Sequence, residues 1–197
     1  MRASSEQQAT TVLQTPRLWL RRFSAADSAA FAAMNADAEV MAHFPAVLNR
    51  EQSDALLARI DAHWQREGFG LCALECRHSG ALLGFCGLLK VAQALPCAPA
   101  VEIGWRLVRS AWGQGLAYEA AHAVLSWAFT ELALTELVSF TSVSNQRSQR
   151  LMQRLGMQRD SGGDFLHPAL PAEHALAPHV LYRLSRAQWL SCGGTSG

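Results

Sequence analysis

A short segment with two glycines, Trp112-Gly-Gln-Gly-Leu-Ala117, stands between an alternating apolar segment and a long amphipathic one. Glycine permits the backbone to approach an anion closely, and the first N–H groups of a helix have no acceptor within that helix. These features predict a phosphate-binding turn at a helix N-terminus. A tight strand-to-helix turn explains the glycines equally well. The spacing matches neither the dinucleotide motif GxGxxG nor a P-loop, since no lysine follows.

Glu102 is an acidic residue inside a predicted strand, Val101-Glu-Ile-Gly-Trp-Arg-Leu-Val108. It alternates with Val101 and Ile103, so the strand period predicts that its side chain faces the opposite side of the sheet from theirs. A carboxylate beside a cleft can act as a general base, directly or through a water molecule. A structural or substrate-orienting carboxylate is the alternative.

Hydrophobic periodicity predicts the elements that must position these residues. Helices are expected from Ser24, where Ser24 and Asp27 resemble a capping box, and over 51–65, 116–132 and 144–156. His78-Ser-Gly80 separates two apolar runs and predicts a hairpin. Strands are predicted over 17–23, 69–76, 82–91, 101–108, 137–143 and 179–184. This order of elements predicts one mixed α/β domain.

The composition excludes several classes of protein. The chain has 197 residues, of which 50% are hydrophobic and 17% charged, and its net charge is +1. It can bury a core, and it offers no electrostatic surface for nucleic acid or a membrane. It lacks the apolar runs of a secretory signal or a membrane span, which predicts a cytoplasmic protein. We expect flexible tails at residues 1–12 and 191–197, around a domain at 13–190.

The histidines invite a metal site, and their spacing argues against one. His167, His174 and His179 are separated by seven and five residues, which fits no common zinc pattern, and no cysteine is near. We therefore predict no metal. The segment that carries them is rich in glycine and proline and precedes the last strand, where a long loop can wall a binding site.

Several ordered motifs carry a family resemblance. Asn145 and Ser148 form N-x-x-S, followed by Leu155-Gly-Met157; the chain opens with Thr15-Pro-Arg-Leu18, and Val101-Glu-Ile-Gly-Trp105 precedes the glycine segment. Together they resemble the GNAT N-acetyltransferase superfamily, in particular its RimJ/RimL-like branch. The glycine segment is similar to the family's Q/R-x-x-G-x-G/A pyrophosphate loop, with Trp112 where many members have Arg or Gln. The likeness covers about residues 13 to 190.

The resemblance implies a GNAT-type fold, which is a central mixed, mostly antiparallel sheet with splayed parallel strands, flanked by helices. It implies acetyl-CoA as co-substrate and no metal. Backbone groups around Leu107 and Val108 would meet the pantetheine and the thioester oxygen, the glycine segment would hold the pyrophosphate, and Asn145 would contact the cofactor from the other side. The implied cofactor-binding residues are Leu107, Val108, Trp112, Gly113, Gln114, Gly115, Leu116, Ala117 and Asn145.

Two residues are implied in catalysis. Glu102 would act on the substrate ammonium as general base. Many family members protonate the departing thiolate with a tyrosine, and this chain has Met152 at that position, which cannot donate a proton. Ser148, whose simpler role is a contact in the first helical turn, would then serve near the thiolate; water, or unassisted departure, are the alternatives.

The resemblance also implies that the acceptor is an amine. The RimJ/RimL-like branch implies a protein N-terminal amine, and a small-molecule amine or a catalytically silent CoA-binding module are the alternatives. We expect Phe44, His167 and His174 to contact the acceptor, against core packing for Phe44 and loop fixing for the histidines. The sequence leaves monomer and homodimer equally open.

Overall fold

The computed structural model describes residues 11–191 and 193. It contains the strands β1 (Thr11–Gln14), β2 (Leu18–Arg21), β3 (Leu71–Cys76), β4 (Leu82–Lys90), β5 (Val101–Leu107), β6 (Glu136–Ser142), β7 (Gln158–Arg159), β8 (Phe165–Leu166) and β9 (Pro178–Ser185). The helices are α1 (Ser28–Ala36), α2 (Arg50–Glu67), α3 (Leu116–Thr130), α4 (Gln146–Arg154) and α5 (Arg186–Ser191).

All the strands belong to one sheet of order β1-β2-β3-β4-β5-β6-β9-β7, with β8 beside β9. Only β5 and β6 run parallel, and their register holds a single pair, Glu102 with Val138. Beyond that pair the two strands separate, whereas β4 and β5 stay paired from Lys90 and Val101 to Gly84 and Leu107. The predicted mixed sheet with splayed parallel strands is therefore confirmed.

The faces of β5 have different neighbours. Arg106 reaches Asn35 of α1, so Glu102, Gly104 and Arg106, which share a face by strand alternation, face the side of α1. Ile103 and Leu107 point to the opposite face and are buried. Helix α3 packs on β4 and β5, and its inner face carries apolar residues that are fully buried, namely Ala120, Ala121, Val124, Leu125, Ala128 and Phe129.

Helix α2 begins and ends as local chemistry predicts. Asn49 and Gln52 exchange hydrogen bonds between side chain and backbone in a capping box. Gly68 ends the helix in the left-handed region at φ 73°. Ile60 and Trp64 on its inner face are buried, and the Trp64 ring stacks on Trp127 of α3 with centroids 6.2 Å apart.

The chain ends differ from the expected tails. Thr11 and Val12 belong to β1, because the segment at Thr15 and Pro16 turns the chain back into antiparallel pairing with β2. Ser191 completes α5, which Ser185 and Gln188 open by exchanging hydrogen bonds between side chain and backbone. The remaining tail positions, except Gly193, lie outside the described residues. Within 11–191, no helix is both long and apolar enough to cross a membrane.

A buried ion cluster ties β2, β3 and the start of the first helical region together. The guanidinium of Arg21, whose side chain is 10% exposed, donates to both oxygens of Asp27 at 2.7 and 2.8 Å and to Glu75 at 2.6 Å. Burial opposes ionisation of Asp27, but the hydrogen bonds from Arg21 and Ser24 outweigh it and hold the pKa of this carboxyl below its usual range. The arginine thus compensates two buried carboxylates.

Replacement of Arg21 by Met should lower the free energy of unfolding by about 3–5 kcal/mol at pH 7, because two buried carboxylates lose their cation. Asp27 has a lowered pKa, so its stabilising pairing is present above the ordinary carboxyl range and is lost as pH falls through the lowered pKa. The difference between wild type and variant should therefore shrink towards pH 3. Urea unfolding at pH 7 and pH 3 measures the loss and its dependence on pH. The control is Arg22→Met, which breaks an exposed pair with Asp61 and should lower the free energy of unfolding by under about 1 kcal/mol. Equal losses in the two variants contradict the assignment.

Candidate active site

A cavity of about 1420 Å³ opens where β5 and β6 separate. It exceeds the volume of about 300–1,000 Å³ that is usual for a single small-ligand site. Its walls come from the segment after α1, β5, the start of α3, β6, α4 and the segment between β8 and β9. The size and the several walls suit two substrates that meet inside one cleft.

The glycine turn forms one end of this cavity. Gly113 and Gly115 adopt φ 73° and 77°, and Gly115 caps α3. The N–H of Glu119 is the first that bonds to a carbonyl of the helix, that of Gly115. The N–H groups of Leu116 and Ala117 come before it and have no acceptor within the helix. A side chain at Gly113 would meet no atom within 4 Å, which leaves open space over the turn. The arrangement fits a phosphate group.

The side chain of Gln114 supports the glycine turn from outside. It is exposed and is absent from the cavity wall, and its amide donates to the Ser110 carbonyl at 2.7 Å. The backbone carbonyl of Gln114 accepts a hydrogen bond from Arg17 at 2.8 Å. The place of Gln114 in a turn that holds the cofactor stays a prediction.

Arg17 fixes the outer side of the glycine turn. Besides the bond to Gln114, its Nε donates to Glu119 of α3 at 2.6 Å. The Thr15 hydroxyl donates to the same carboxylate at 2.6 Å. The opening motif of the chain thus fixes the turn to the first turn of α3.

The end of β5 presents free backbone on the side of β6. Alternation along the β4–β5 pairing directs the N–H groups of Trp105 and Leu107 away from β4, where the register with β6 has already ended. Val108 does not share this position, because its N–H is bonded to Leu83 and its carbonyl to Ala111, at 2.9 and 3.0 Å. The predicted contact of Val108 with the cofactor stays a prediction, and the N–H groups that this edge leaves free belong to Trp105 and Leu107. The indole N–H of Trp112 donates to the Leu107 carbonyl at 2.9 Å.

Glu102 lies in the cavity wall at the point where the strands separate. Withdrawal from solvent raises the pKa of this carboxyl to about 8. In the part of the chain that the structure describes, no cation forms a salt bridge with it. Gly104, the next residue on the same face, carries no side chain that would cover the carboxyl. Glu102 therefore has the reach and the pKa of a base that works near neutral pH.

The start of α4 places Ser148 in the cavity. Asn145 caps this helix by accepting the Ser148 N–H at 3.2 Å, and its amide nitrogen donates to Thr141 at 2.9 Å. Both ends of the Asn145 amide are thus engaged within the protein, although the residue lines the cavity. The Ser148 hydroxyl has no hydrogen-bond partner among residues 11–191. Asn145 positions the helix, and Ser148 presents a free hydroxyl.

At the position of the family's tyrosine, this chain has a side chain that does not reach the cavity. Met152 is 1% exposed and belongs to the core. Tyr182 is 2% exposed, its hydroxyl accepts from Gln153 at 3.2 Å, and it does not line the cavity. Neither residue reaches the cleft, which leaves Ser148 as the hydroxyl on α4.

Three arginines of α4 line the cavity and were not predicted from the sequence. Arg147, Arg150 and Arg154 recur at helical spacing and all line the cavity. Arg147 lies 4.7 Å from the Trp112 ring centroid and Arg154 lies 4.8 Å from that of Tyr118, so both are held over the α3 side of the cleft. The spacing of three and four residues was the available signal. This arginine face adds positive charge beside the glycine turn.

The other side of the cavity carries aromatic and imidazole side chains. Phe44 is 39% exposed and lies in the wall, as does His167. His174 is absent from it, because its Nδ1 accepts the Leu176 N–H at 3.1 Å and stabilises its own loop. His179, which was not predicted, takes that place with its ring centroid 5.0 Å from that of His167. Across residues 11–191, no cluster of three or more metal-ligating side chains occurs.

Comparison with known proteins agrees with this geometry. A family model described as an acetyltransferase (GNAT) domain matches residues 17–158. The N-acetyltransferase YoaA of Bacillus subtilis is 27% identical over 151 residues, which are 76% of this chain and 84% of that protein. An acetyltransferase structure from Agrobacterium tumefaciens is 27% identical with a TM-score of 0.71, over 87% of this chain and 92% of the other.

A more distant structure is Mycobacterium smegmatis RimJ in complex with CoA-disulfide, at 16% identity and a TM-score of 0.67 over 89% of both chains. At that identity it shows the common fold. Strands that separate beside a glycine turn, and a family match over most of the chain, lead to one conclusion: this chain belongs to the GNAT acetyltransferase family, whose members are acetyl-CoA-dependent N-acetyltransferases.

Proposed function

We propose that this protein moves the acetyl group of acetyl-CoA directly to a primary amine, with Glu102 as general base and Ser148 as general acid. The observation that carries the proposal is Glu102 itself, an unpaired carboxyl with a pKa of about 8 in the wall where β5 and β6 part. A silent CoA-binding module has no need of such a group. The proposed acceptor is a protein N-terminal amine, which is supported by the shared fold with RimL, described as a ribosomal L7/L12 alpha-N-protein acetyltransferase.

The glycine turn and the arginine face of α4 would hold the phosphates of acetyl-CoA. The turn offers the free N–H groups of Leu116 and Ala117 at a helix N-terminus. Arg147, Arg150 and Arg154 supply positive charge at the same end of the cavity. The thioester would then lie along β5, within reach of the N–H groups of Trp105 and Leu107.

Acetyl transfer follows as addition and elimination at the thioester carbonyl. Glu102 accepts a proton from the acceptor ammonium, and the neutral amine forms a C–N bond with the carbonyl carbon. The negative charge on the oxygen is stabilised by backbone N–H groups of β5. As the C–S bond breaks, the electron pair leaves with sulfur, and the Ser148 hydroxyl protonates the thiolate. The second proton leaves the product nitrogen and, through solvent, restores the Ser148 hydroxyl. Glu102 then releases its proton to solvent, so one proton is released for each amide formed.

Replacement of Gly115 by Glu should abolish acetyl-CoA binding, because the new carboxylate lies at the phosphate turn and repels the ligand. The matched control is Gly80→Glu in the β3–β4 hairpin, where φ is 72° against 77° at Gly115 and no neighbour lies within 4 Å. Both variants carry the same backbone strain and the same charge change. Calorimetry with acetyl-CoA should therefore show tight binding for wild type and Gly80→Glu only. Equal affinity in all three proteins contradicts the placement of the phosphates.

Replacement of Glu102 by Gln should lower kcat/KM for the acceptor by about 10²–10⁴-fold. With a pKa of about 8, Glu102 becomes a base as pH rises, and it acts on the acceptor ammonium, which loses its own proton at about 7.7–8.0. Wild-type kcat/KM should therefore rise to a maximum near pH 8 and fall above it. Glu102→Gln can use only the free amine, so its kcat/KM should rise and then level. Assay of released thiol from pH 6 to 10 measures both profiles, and a wild-type profile of the same shape as that of Glu102→Gln removes Glu102 as the base.

The same variant gives a readout without turnover. The folded carboxyl has a raised pKa, so its contribution to stability is complete below the ordinary glutamate pKa and is lost as pH rises through about 8. Glu102→Gln should therefore gain stability over wild type between about pH 5 and 8 in urea unfolding. A constant difference across that range contradicts the burial of the charge.

Replacement of Ser148 by Ala should lower kcat by about tenfold or more with little change in acetyl-CoA affinity, because the thiolate loses its proton donor. Ser148→Thr keeps the hydroxyl and should retain most of the rate. The comparison of kcat in the two variants distinguishes loss of the proton donor from a change in the packing of the first turn of α4. Full activity in Ser148→Ala would mean that water protonates the thiolate or that the thiolate leaves without a proton donor.

A further inference from the structure

We propose that the acceptor carries a carboxylate as well as the reacting amine, and that Arg106 binds this carboxylate. The inference rests on the proposed acetyl transfer and names the chemical class of its acceptor. It comes from one partly buried cation in the cavity wall, to which the described residues supply no counter-charge.

Arg106 lies on the face of β5 that also carries Glu102, and both side chains line the cavity. Its Nη1 donates to the Asn35 side chain of α1 at 2.6 Å. The guanidinium carbon lies 4.0 Å from the ring centroid of Phe44 and 5.2 Å from that of Phe85. One amide and two aromatic rings therefore fix the position of this guanidinium.

These contacts leave part of the guanidinium unused. Nε is buried without a hydrogen-bond partner, and Nη2 has none among the residues that the structure describes. Nη1 is the nitrogen that Asn35 occupies. Nε and Nη2 form a single edge of the planar group. Nε is closed to solvent, so a carboxylate in the cavity meets Nη2 first, and a small shift of the side chain would add Nε and complete two parallel hydrogen bonds.

The protein supplies no carboxylate to Arg106. Over residues 11–191 Arg106 forms no salt bridge, and Glu39, another acidic residue in the cavity wall, is paired with Arg109. Arg21, the buried arginine of β2, has two carboxylate partners. Removal of a cation from water without such compensation costs free energy, and uncompensated charges of this kind are found mainly at functional sites.

Arg106 keeps its charge under working conditions. Burial lowers the pKa of its guanidinium to about 10, which leaves it protonated at neutral pH. The phosphates of acetyl-CoA have other partners in the glycine turn and the arginine face of α4. Arg106 points towards α1 and Phe44, so the anion it fits belongs to the other substrate.

The spacing limits the kind of acceptor. Glu102 and Arg106 are four residues apart on one strand, which places their Cα atoms about 13 Å apart at about 3.3 Å per residue. Side chains of a strand stand roughly perpendicular to the sheet, so this separation suits an acceptor whose carboxylate lies several bonds from its amine better than the α-carboxylate of a free amino acid. An acidic side chain near a protein N-terminus, or the free C-terminus of a short peptide, has such a carboxylate.

Two pairs of peptides test the proposal and distinguish these sources. The first is Ser-Ala-Ala with a free carboxylate against its C-terminal amide, and the second is Ser-Asp-Ala-Ala-Ala-amide against Ser-Asn-Ala-Ala-Ala-amide. Calorimetry on the full chain saturated with CoA should show at least tenfold tighter binding for the carboxylate member of one pair. Arg106→Gln should reduce that preference to less than twofold and keep its acetyl-CoA affinity.

Arg66→Gln is the matched control, because it removes an exposed arginine on α2 and should retain the wild-type preference. Acetyl-transfer assays with the same peptides separate the two levels of the argument. Product without any preference for a carboxylate overturns the present inference alone, and so does a preference that survives in Arg106→Gln. A carboxylate preference in binding without product from any peptide overturns the proposed function instead.

Discussion

The end of pairing between β5 and β6 is the constraint on which the site depends. A sheet with unbroken hydrogen bonds offers no free backbone in its interior, and here the parallel pair holds at Glu102 and Val138 only. Continued pairing of β5 with β4 keeps the strand straight while its other edge is left open. The gap therefore contains ordered N–H groups of a rigid strand. Such groups can stabilise developing charge without reorganisation.

Charge in the cavity follows a pattern that separates structure from function. The buried arginine of β2 is compensated by two carboxylates, and the acidic residues around Arg17 and Arg109 are paired as well. Among the described residues, Glu102 and Arg106, on one face of β5, have no partner of opposite charge. Their pKa values move in the directions that burial imposes, upward for the acid and downward for the base. The uncompensated groups mark where substrate must supply the missing partners.

Much of this arrangement could be predicted from the sequence, because it depends on local rules. Strand alternation placed Glu102 on the cleft face, the glycine spacing predicted the turn before α3, and the apolar period gave the inner faces of α2 and α3. The shared fold with the acetyltransferases confirms the resemblance that the ordered motifs carried. What the pattern does not reveal depends on contacts made by the folded chain. The Val108 N–H is bonded to Leu83 and the His174 ring accepts the Leu176 N–H, and neither partner is visible in a linear pattern.

The hydrogen bonds of Arg17 connect the glycine turn to the β1–β2 edge of the sheet. Arg17 follows the turn that closes the β1–β2 hairpin, and it bonds to residues almost a hundred positions further along the chain. A conformation of the turn that suits phosphate is thus maintained by the outermost strands, which are the elements most prone to fray. Because coupling between two equilibria is reciprocal, a bound nucleotide should in turn slow amide exchange in that distant hairpin. The N-terminal edge is in this sense a remote part of the binding site.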